Sequence, residues 1–170
     1  EIIKQLGIKT LVLAHREELL LQAKEKMERC GLSNIDVVLQ SKPNPGANHW
    51  IASVQTIVRG NRLKMIQPEL LIIDECHHSI ANTYRTVIEA YPNINVIGFT
   101  ATPTRTGRKE KEAFGQMWDK IIYEYSIKQA ILDKWLANIK YYCLKTGISL
   151  DEVKASKGDL DENELAEKVN

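Results

Sequence analysis

LLIIDECHHS (residues 70–79) runs four apolar residues straight into Asp74, Glu75, Cys76, His77 and His78. A short continuous apolar run is how a strand buried on both faces reads. The same signal recurs in TLVLA (10–14), IDVVLQ (35–40), WIASV (50–54) and INVIGF (94–99). Helical patterns lie between most of these runs. In REELLLQAKEKMERCG, Leu19, Ala23, Met27 and Cys30 share one face, and Gly31 follows as a stop. QTIVRGNRLKMIQ (55–67) reads as a helix weakened by Gly60. Ile80, Tyr84, Val87, Ile88 and Tyr91 define an amphipathic helix ended by Pro92. SKPNPGANH (41–49) is a loop. Strands joined by helical crossovers make an α/β, doubly wound, mostly parallel sheet with helices on both faces. Ligands of such sheets sit beyond the carboxyl ends of the strands, which here read AHRE, SVQT, DECHH and TATPTR.

Composition sets few limits. The chain of 170 residues is 44% apolar and 26% charged, with net charge +1, so no global basic footprint marks a nucleic-acid ligand. No apolar run nears the roughly 18 residues of a membrane span, and no basic start followed by an apolar centre marks these residues as a signal peptide. Cys30, Cys76 and Cys143 are odd in number and far apart, which suits reduced thiols in a cytoplasmic protein. After residue 119 the pattern changes. IIYEY (121–125) reads as a candidate strand, and NIKYYCLK (138–145) alternates Ile139, Tyr141 and Cys143 as another. Ile127, Ile131 and Trp135 suggest a helix between them. From Ile148 the chain turns acidic, and Asp161 with Glu164 is a capping-box signal for a last short helix. The expected organisation is 1–119, 120–147 as an exit segment, and 148–170 as an acidic segment.

Asp74 to His78 are all metal-binding residue types, but consecutive side chains diverge and no second ligand pair follows. A structural zinc site is therefore not expected. An N-terminal acceptor for the following helix would explain one carboxylate at a strand exit. Two adjacent carboxylates repel unless a cation joins them, and Mg²⁺ held with substrate phosphates meets that need.

The order of these pieces is familiar. Asp74-Glu75-Cys76-His77 resembles the DExH box, motif II of superfamily 2 helicases. TLVLAHREELLLQA (10–23) resembles motif Ia, SVQTIVR (53–59) the motif Ib region, and GFTATPTR (98–105) motif III, centred on Thr100-Ala101-Thr102. KIIYEYSIKQAILDKWL (120–136) is similar to the segment leaving the first RecA-like domain in bacterial and phage DEAD/DEAH helicases related to restriction-enzyme translocase subunits. The resemblance implies a RecA-like (P-loop NTPase) domain of an ATP-dependent DNA helicase or translocase. In it Asp74 binds Mg²⁺ with ATP, Glu75 is the catalytic base, and His77, Thr100 and Thr102 couple the nucleotide state to movement. Arg16, Gln55, Thr56, Arg59 and Arg105 contact the backbone of DNA, which suits a motor that steps over any sequence.

Each role has a plainer rival. His77 can sit at a helix start, Arg16 can be a solvated first-turn residue, and Thr100 and Thr102 can be ordinary strand-end residues. Arg105, Arg108, Lys109 and Lys111 can be a solvated loop. A restriction-enzyme motor subunit, an RNA helicase and a non-hydrolysing interaction module remain alternative functions. The family's G-x-x-x-x-G-K-[ST] loop does not occur in this sequence. GIKT (7–10) has Ile8 between its glycine and lysine, and EIIKQLG resembles the tail of the helix that follows such a loop. The expected domain is therefore incomplete at its N-terminus, with negligible ATP turnover by itself.

Overall fold

The computed structural model describes residues 1–14, 16–79, 82–103, 117–142, 155–156 and 159–160. They belong to two compact units, Glu1–Ile121 and Ile122–Asn170.

The first unit holds all five expected strands, β1 (Thr10–Leu13), β2 (Ile35–Val38), β3 (His49–Ala52), β4 (Leu70–Ile73) and β5 (Asn95–Gly98). They pair in parallel in the order β2-β3-β1-β4-β5. The register stacks like with like. Leu11 lies beside Trp50 and Leu71, and Leu13 beside Ala52 and Ile73. These residues form one apolar layer with Val54, Ile57, Tyr84 and Val87. The alternate positions Ile51, Val12 and Ile72 face the other layer, with Ile3, Leu20 and Met27. Helices α1 (Ile2–Leu6) and α2 (Glu17–Arg29) thus serve one side of the sheet, and α3 (Val54–Ile57) and α4 (Asn82–Ala90) the other. Leu11, Leu71 and Trp50 are fully buried, and truncating Leu71 to Ala is expected to destabilise by about 2–5 kcal/mol.

Helix ends follow local chemistry. α2 stops in a Schellman arrangement: Leu32 N–H donates to Met27 O (3.1 Å), Gly31 N–H donates to Glu28 O (2.9 Å), and Gly31 has φ +84°. The helix expected over 55–67 is instead a single turn, Val54–Ile57, and a separate 3₁₀ turn, Leu63–Met65. Gly60 between them has φ +60°, a backbone state no helix contains. β3, not the β4 that leads into the acidic residues, is the most enclosed strand. Ile72 of β4 is half-buried, whereas all four residues of β3 are buried.

In the second unit, α5 (Ile127–Leu132) begins at Ser126, whose Oγ accepts from Gln129 N–H at 3.1 Å. Asp133 receives Tyr125 O–H (2.6 Å) and Gln129 Nε2–H (2.8 Å) just past its end. The helix ends before Trp135, which is 80% exposed rather than on a buried face. Residues 121–125 and 138–142 are not strands, despite their sequence pattern. Ala155–Ser156 and Asp159–Leu160 pair antiparallel. The helix expected near Asp161 and Glu164 falls outside the described residues.

Candidate functional site

The exit of β4 is a tight turn. Asp74 N–H donates to Leu13 O at 2.9 Å, continuing the β1–β4 ladder. Glu75 then adopts φ 50°, ψ 48°, the left-handed region that non-glycine residues seldom enter. That reversal lets Cys76 N–H reach Phe99 O at 2.9 Å, anchoring the turn to the exit of β5. The carboxylates are therefore set at the rim. Asp74 is half-buried, with Oδ1 accepting from Glu75 N–H (3.0 Å), and Glu75 is exposed.

Cys76, the next residue, faces inward and is 3% exposed. Burial, reinforced by the charges of Glu75 and Asp74, pushes its thiol up to about 11. It is a neutral packing group at neutral pH, not a thiolate ligand. Close approach here depends on Gly98. A Cβ on it would lie 2.5 Å from Trp118 Cη2 and 2.7 Å from Cys76 Sγ. Trp118 in turn donates Nε1–H to the buried Ser79 Oγ at 3.1 Å. Tyr84 packs below the turn, and its phenol is raised by burial and then by the charge of Asp74.

His77 joins two strand exits. Its Nδ1 lies 2.8 Å from Thr100 Oγ1 and 3.1 Å from Glu75 Oε2. Nδ1 is hydrogen-bonded to the Thr100 hydroxyl, the donor and acceptor roles following the ring tautomer, and the Glu75 carboxylate lies within ion-pairing reach of the same nitrogen. Thr100 Oγ1 also accepts Thr102 N–H at 3.0 Å. Of the residues expected to couple the nucleotide to movement, His77 and Thr100 touch through side chains, whereas Thr102 joins through its backbone.

The other expected contacts lie farther along the same rim. Arg16 is the N-cap residue of α2, exposed, with Glu17 and Glu18 in the first turn and no side-chain cap bond. α3 is capped by Ser53, whose Oγ accepts Thr56 N–H (3.1 Å) and donates to Thr56 Oγ1 (2.9 Å). Thr56 and Arg59 line a groove of about 310 Å³ together with Glu17, Leu39, Gln40 and Ser53. Gln55 is exposed outside that lining. Arg105 lies outside the described residues. Arg62 did not stand out in the sequence, although a charged side chain just after Gly60 was its only signal. It donates Nη1–H to Thr56 O (2.8 Å) and Nη2–H to Gln40 O (2.6 Å).

This parallel sheet, with D-E-x-H at one exit bonded to T-A-T at the next, is the RecA-like architecture of superfamily 2 helicases. The chain belongs to the family of type III restriction enzyme res subunits, whose pattern matches residues 1–105. It is 32% identical to IRC3 of Saccharomyces cerevisiae, named as an ATP-dependent helicase, over 98% of this chain and 25% of that protein. A 51.5 kDa protein of a Lactococcus phage is 30% identical over 90% of the chain and 30% of its own length. The Escherichia coli type I restriction enzyme EcoAI endonuclease subunit is 31% identical over 59% of the chain and 13% of its own length. The chain thus spans about a quarter of the length of IRC3. The crystal structure of a hypothetical ATP-dependent RNA helicase from Sulfolobus tokodaii superposes with a TM-score of 0.56 at 20% identity. It covers 72% of this chain and 41% of that one, a likeness of fold.

Proposed function

We propose that this chain is the nucleotide-hydrolysing part of a motor that moves along DNA, with Asp74 and Glu75 at the phosphates and Arg16, Gln55, Thr56, Arg59 and Arg105 along the strand. The observation that carries this reading is His77 Nδ1 held 3.1 Å from the Glu75 carboxylate and 2.8 Å from the Thr100 hydroxyl. A carboxylate steered by a histidine that also touches the next strand exit is suited to sense whether a phosphate is present.

The donor set fits Mg²⁺ with ATP. Asp74 and Glu75 offer hard oxygens, and the nearby thiol is protonated. Among the described residues no three His, Cys, Asp or Glu side chains converge on one ion, so phosphate oxygens would have to complete the shell. When bound, the ion supplies charge neutralisation at the phosphates. Asp74 would hold it. Glu75, with His77 Nδ1 3.1 Å from its carboxylate, accepts the proton of an attacking water there.

DNA rather than RNA is favoured by the family's restriction-enzyme membership. A restriction-enzyme motor subunit is the nearest variant of the same reading, supported by the likeness to the EcoAI subunit. A cytoplasmic setting is supported by the free, exposed thiol of Cys30. Among the described residues no helix is long and apolar enough to cross a membrane.

The test is Glu75→Gln in the full-length protein, read as nucleic-acid-stimulated phosphate release. A loss of about 10²–10⁴ in kcat is expected, the range for a positioned general base. Undiminished turnover would rule out Glu75 as base, and an absence of turnover in the wild type would favour an interaction module.

A further inference from the structure

A second groove, this one basic, adjoins the first. It has a volume of about 370 Å³ and is lined by Lys42, Arg59, Gly60, Asn61, Arg62 and Met65. Three cations line it and no carboxylate does. Among the described residues none of the three cations is ion-paired with an acidic side chain. Unneutralised positive charge gathered in a concave surface attracts anions.

The cations are carried on fixed backbone. The loop that holds Lys42 is tied through Asn44 to both flanking strands: Asn44 N–H donates to Asp36 Oδ2 in β2 (2.8 Å), and the buried Trp50 of β3 donates Nε1–H to Asn44 O (2.8 Å). Asn34 Nδ2–H holds Gly46 O at 2.8 Å, and Pro43, next to Lys42, is buried. Arg62 staples the exit of β2 to α3 through the carbonyls of Gln40 and Thr56 while keeping its charge. A groove whose charges are already in place loses little freedom when an anion arrives.

We propose that Lys42, Arg59 and Arg62 form a second phosphate subsite that takes the phosphodiester backbone of a nucleic-acid strand leaving the first groove. Arg59 lines both grooves, so together they make a continuous track rather than a closed pocket for a small anion. Contacts of this kind hold the backbone and read no bases. In this subsite Arg62 is a positioning residue as well as a cation. The proposal rests on reading the chain as a nucleic-acid motor.

The experiment is fluorescence anisotropy of a labelled single-stranded oligonucleotide on the full-length protein across a salt series. DNA and its RNA counterpart are both used, and the variants are read on the strand the wild type holds more tightly. Lys42 is exposed, so Lys42→Ala should fold normally. Removal of one phosphate contact should lower the slope of log K against log salt by about 0.7, or about fivefold in affinity at 0.1 M salt. The loss should be equal for unrelated sequences. Lys26→Ala, on α2 and away from both grooves, should leave affinity and slope unchanged. Arg62→Lys keeps the charge but loses the two-pronged hold, and should lower affinity with the slope preserved. Equal losses for Lys42→Ala and Lys26→Ala, or an unchanged slope for Lys42→Ala, overturn the subsite while the motor reading stands. A wild type that binds neither strand overturns the motor reading itself.

Discussion

Gly98→Ala tests whether the DExH turn is held by packing as tightly as the geometry implies. The added Cβ would lie 2.5 Å from Trp118 Cη2, 2.7 Å from Cys76 Sγ and 2.8 Å from Cys76 Cβ. Ordinary carbon contacts are about 3.5–4.0 Å, so these groups must withdraw by roughly 1 Å. Cys76 is tethered by its N–H to Phe99 O (2.9 Å) and Trp118 by its Nε1–H to Ser79 Oγ (3.1 Å), which leaves little slack. Overpacking of this kind costs about 1–3 kcal/mol. The upper half of that range corresponds to a fall in Tm of roughly 5–10 °C for a domain of this size. Urea unfolding followed by tryptophan fluorescence measures it directly. Cys76 lies between Glu75 and His77, so a shift of Cys76 should also draw His77 from Thr100 and lower ATP turnover by the full-length protein. Trp118→Phe removes Cη2, so the double variant Gly98→Ala/Trp118→Phe should be at least about 0.5 kcal/mol less destabilised than the sum of the singles. A Gly98→Ala protein that unfolds at the wild-type midpoint, or strict additivity with Trp118→Phe, would refute the argument.

Two further outcomes follow from the same site. Thr100→Val removes the hydroxyl that meets His77 Nδ1 and Thr102 N–H; strand movement per ATP hydrolysed by the full-length protein should fall, while Mg-ATP affinity changes little. At alkaline pH the thiol of Cys76, raised to about 11, and the phenol of Tyr91, raised to about 12, stay protonated in the folded chain after they would ionise in the unfolded one. The folded state then binds more protons than the unfolded state, so stability falls as pH rises from about 9, and a Tm that stays level up to pH 10.5 would contradict these shifts.

The fold was legible because the inner strands β1, β3 and β4 are almost wholly buried, which leaves short continuous apolar runs that few other structures produce. The exits were legible for the same reason, since polar residues directly after such runs have only the rim to occupy. Asp74 and Glu75 were placed at the rim this way, whereas His77 and Thr100 were singled out by the resemblance to helicase motifs II and III. Arg62 was not, because its role is to hold two carbonyls far apart in the sequence, and such bonds leave no periodic trace. The helix over 55–67 failed at Gly60, where a positive φ outweighs the propensity of its neighbours. At 121–125 and 138–142 the strand pattern was real, but Ile122, Tyr123 and Tyr141 are exposed. A period of two describes a ribbon that can pair, and pairing itself requires a neighbour that no local pattern encodes.

The same hydrogen bonds that fix the rim also restrict how its two halves can communicate. Cys76 N–H to Phe99 O, Phe99 N–H to Ile73 O, Asp74 N–H to Leu13 O and Ala14 N–H to Ala52 O form one backbone chain from β5 to β3. Ser53, the cap of α3, is the next residue after Ala52. Neighbouring strands are about 4.8 Å apart, so the carboxylate exit and the α3 exit are about two strand spacings apart, on the order of 10 Å. A ladder this continuous over a close-packed core has no soft element to bend. What can change state is carried on side chains, above all the His77 ring set between Glu75 and Thr100. A coupling device of this type answers to changes at its own contacts, such as Thr100→Val, or at the Gly98 packing beneath them, and not to substitutions in β1, β2 or β3. Such substitutions should lower stability while leaving the ratio of movement to hydrolysis unchanged.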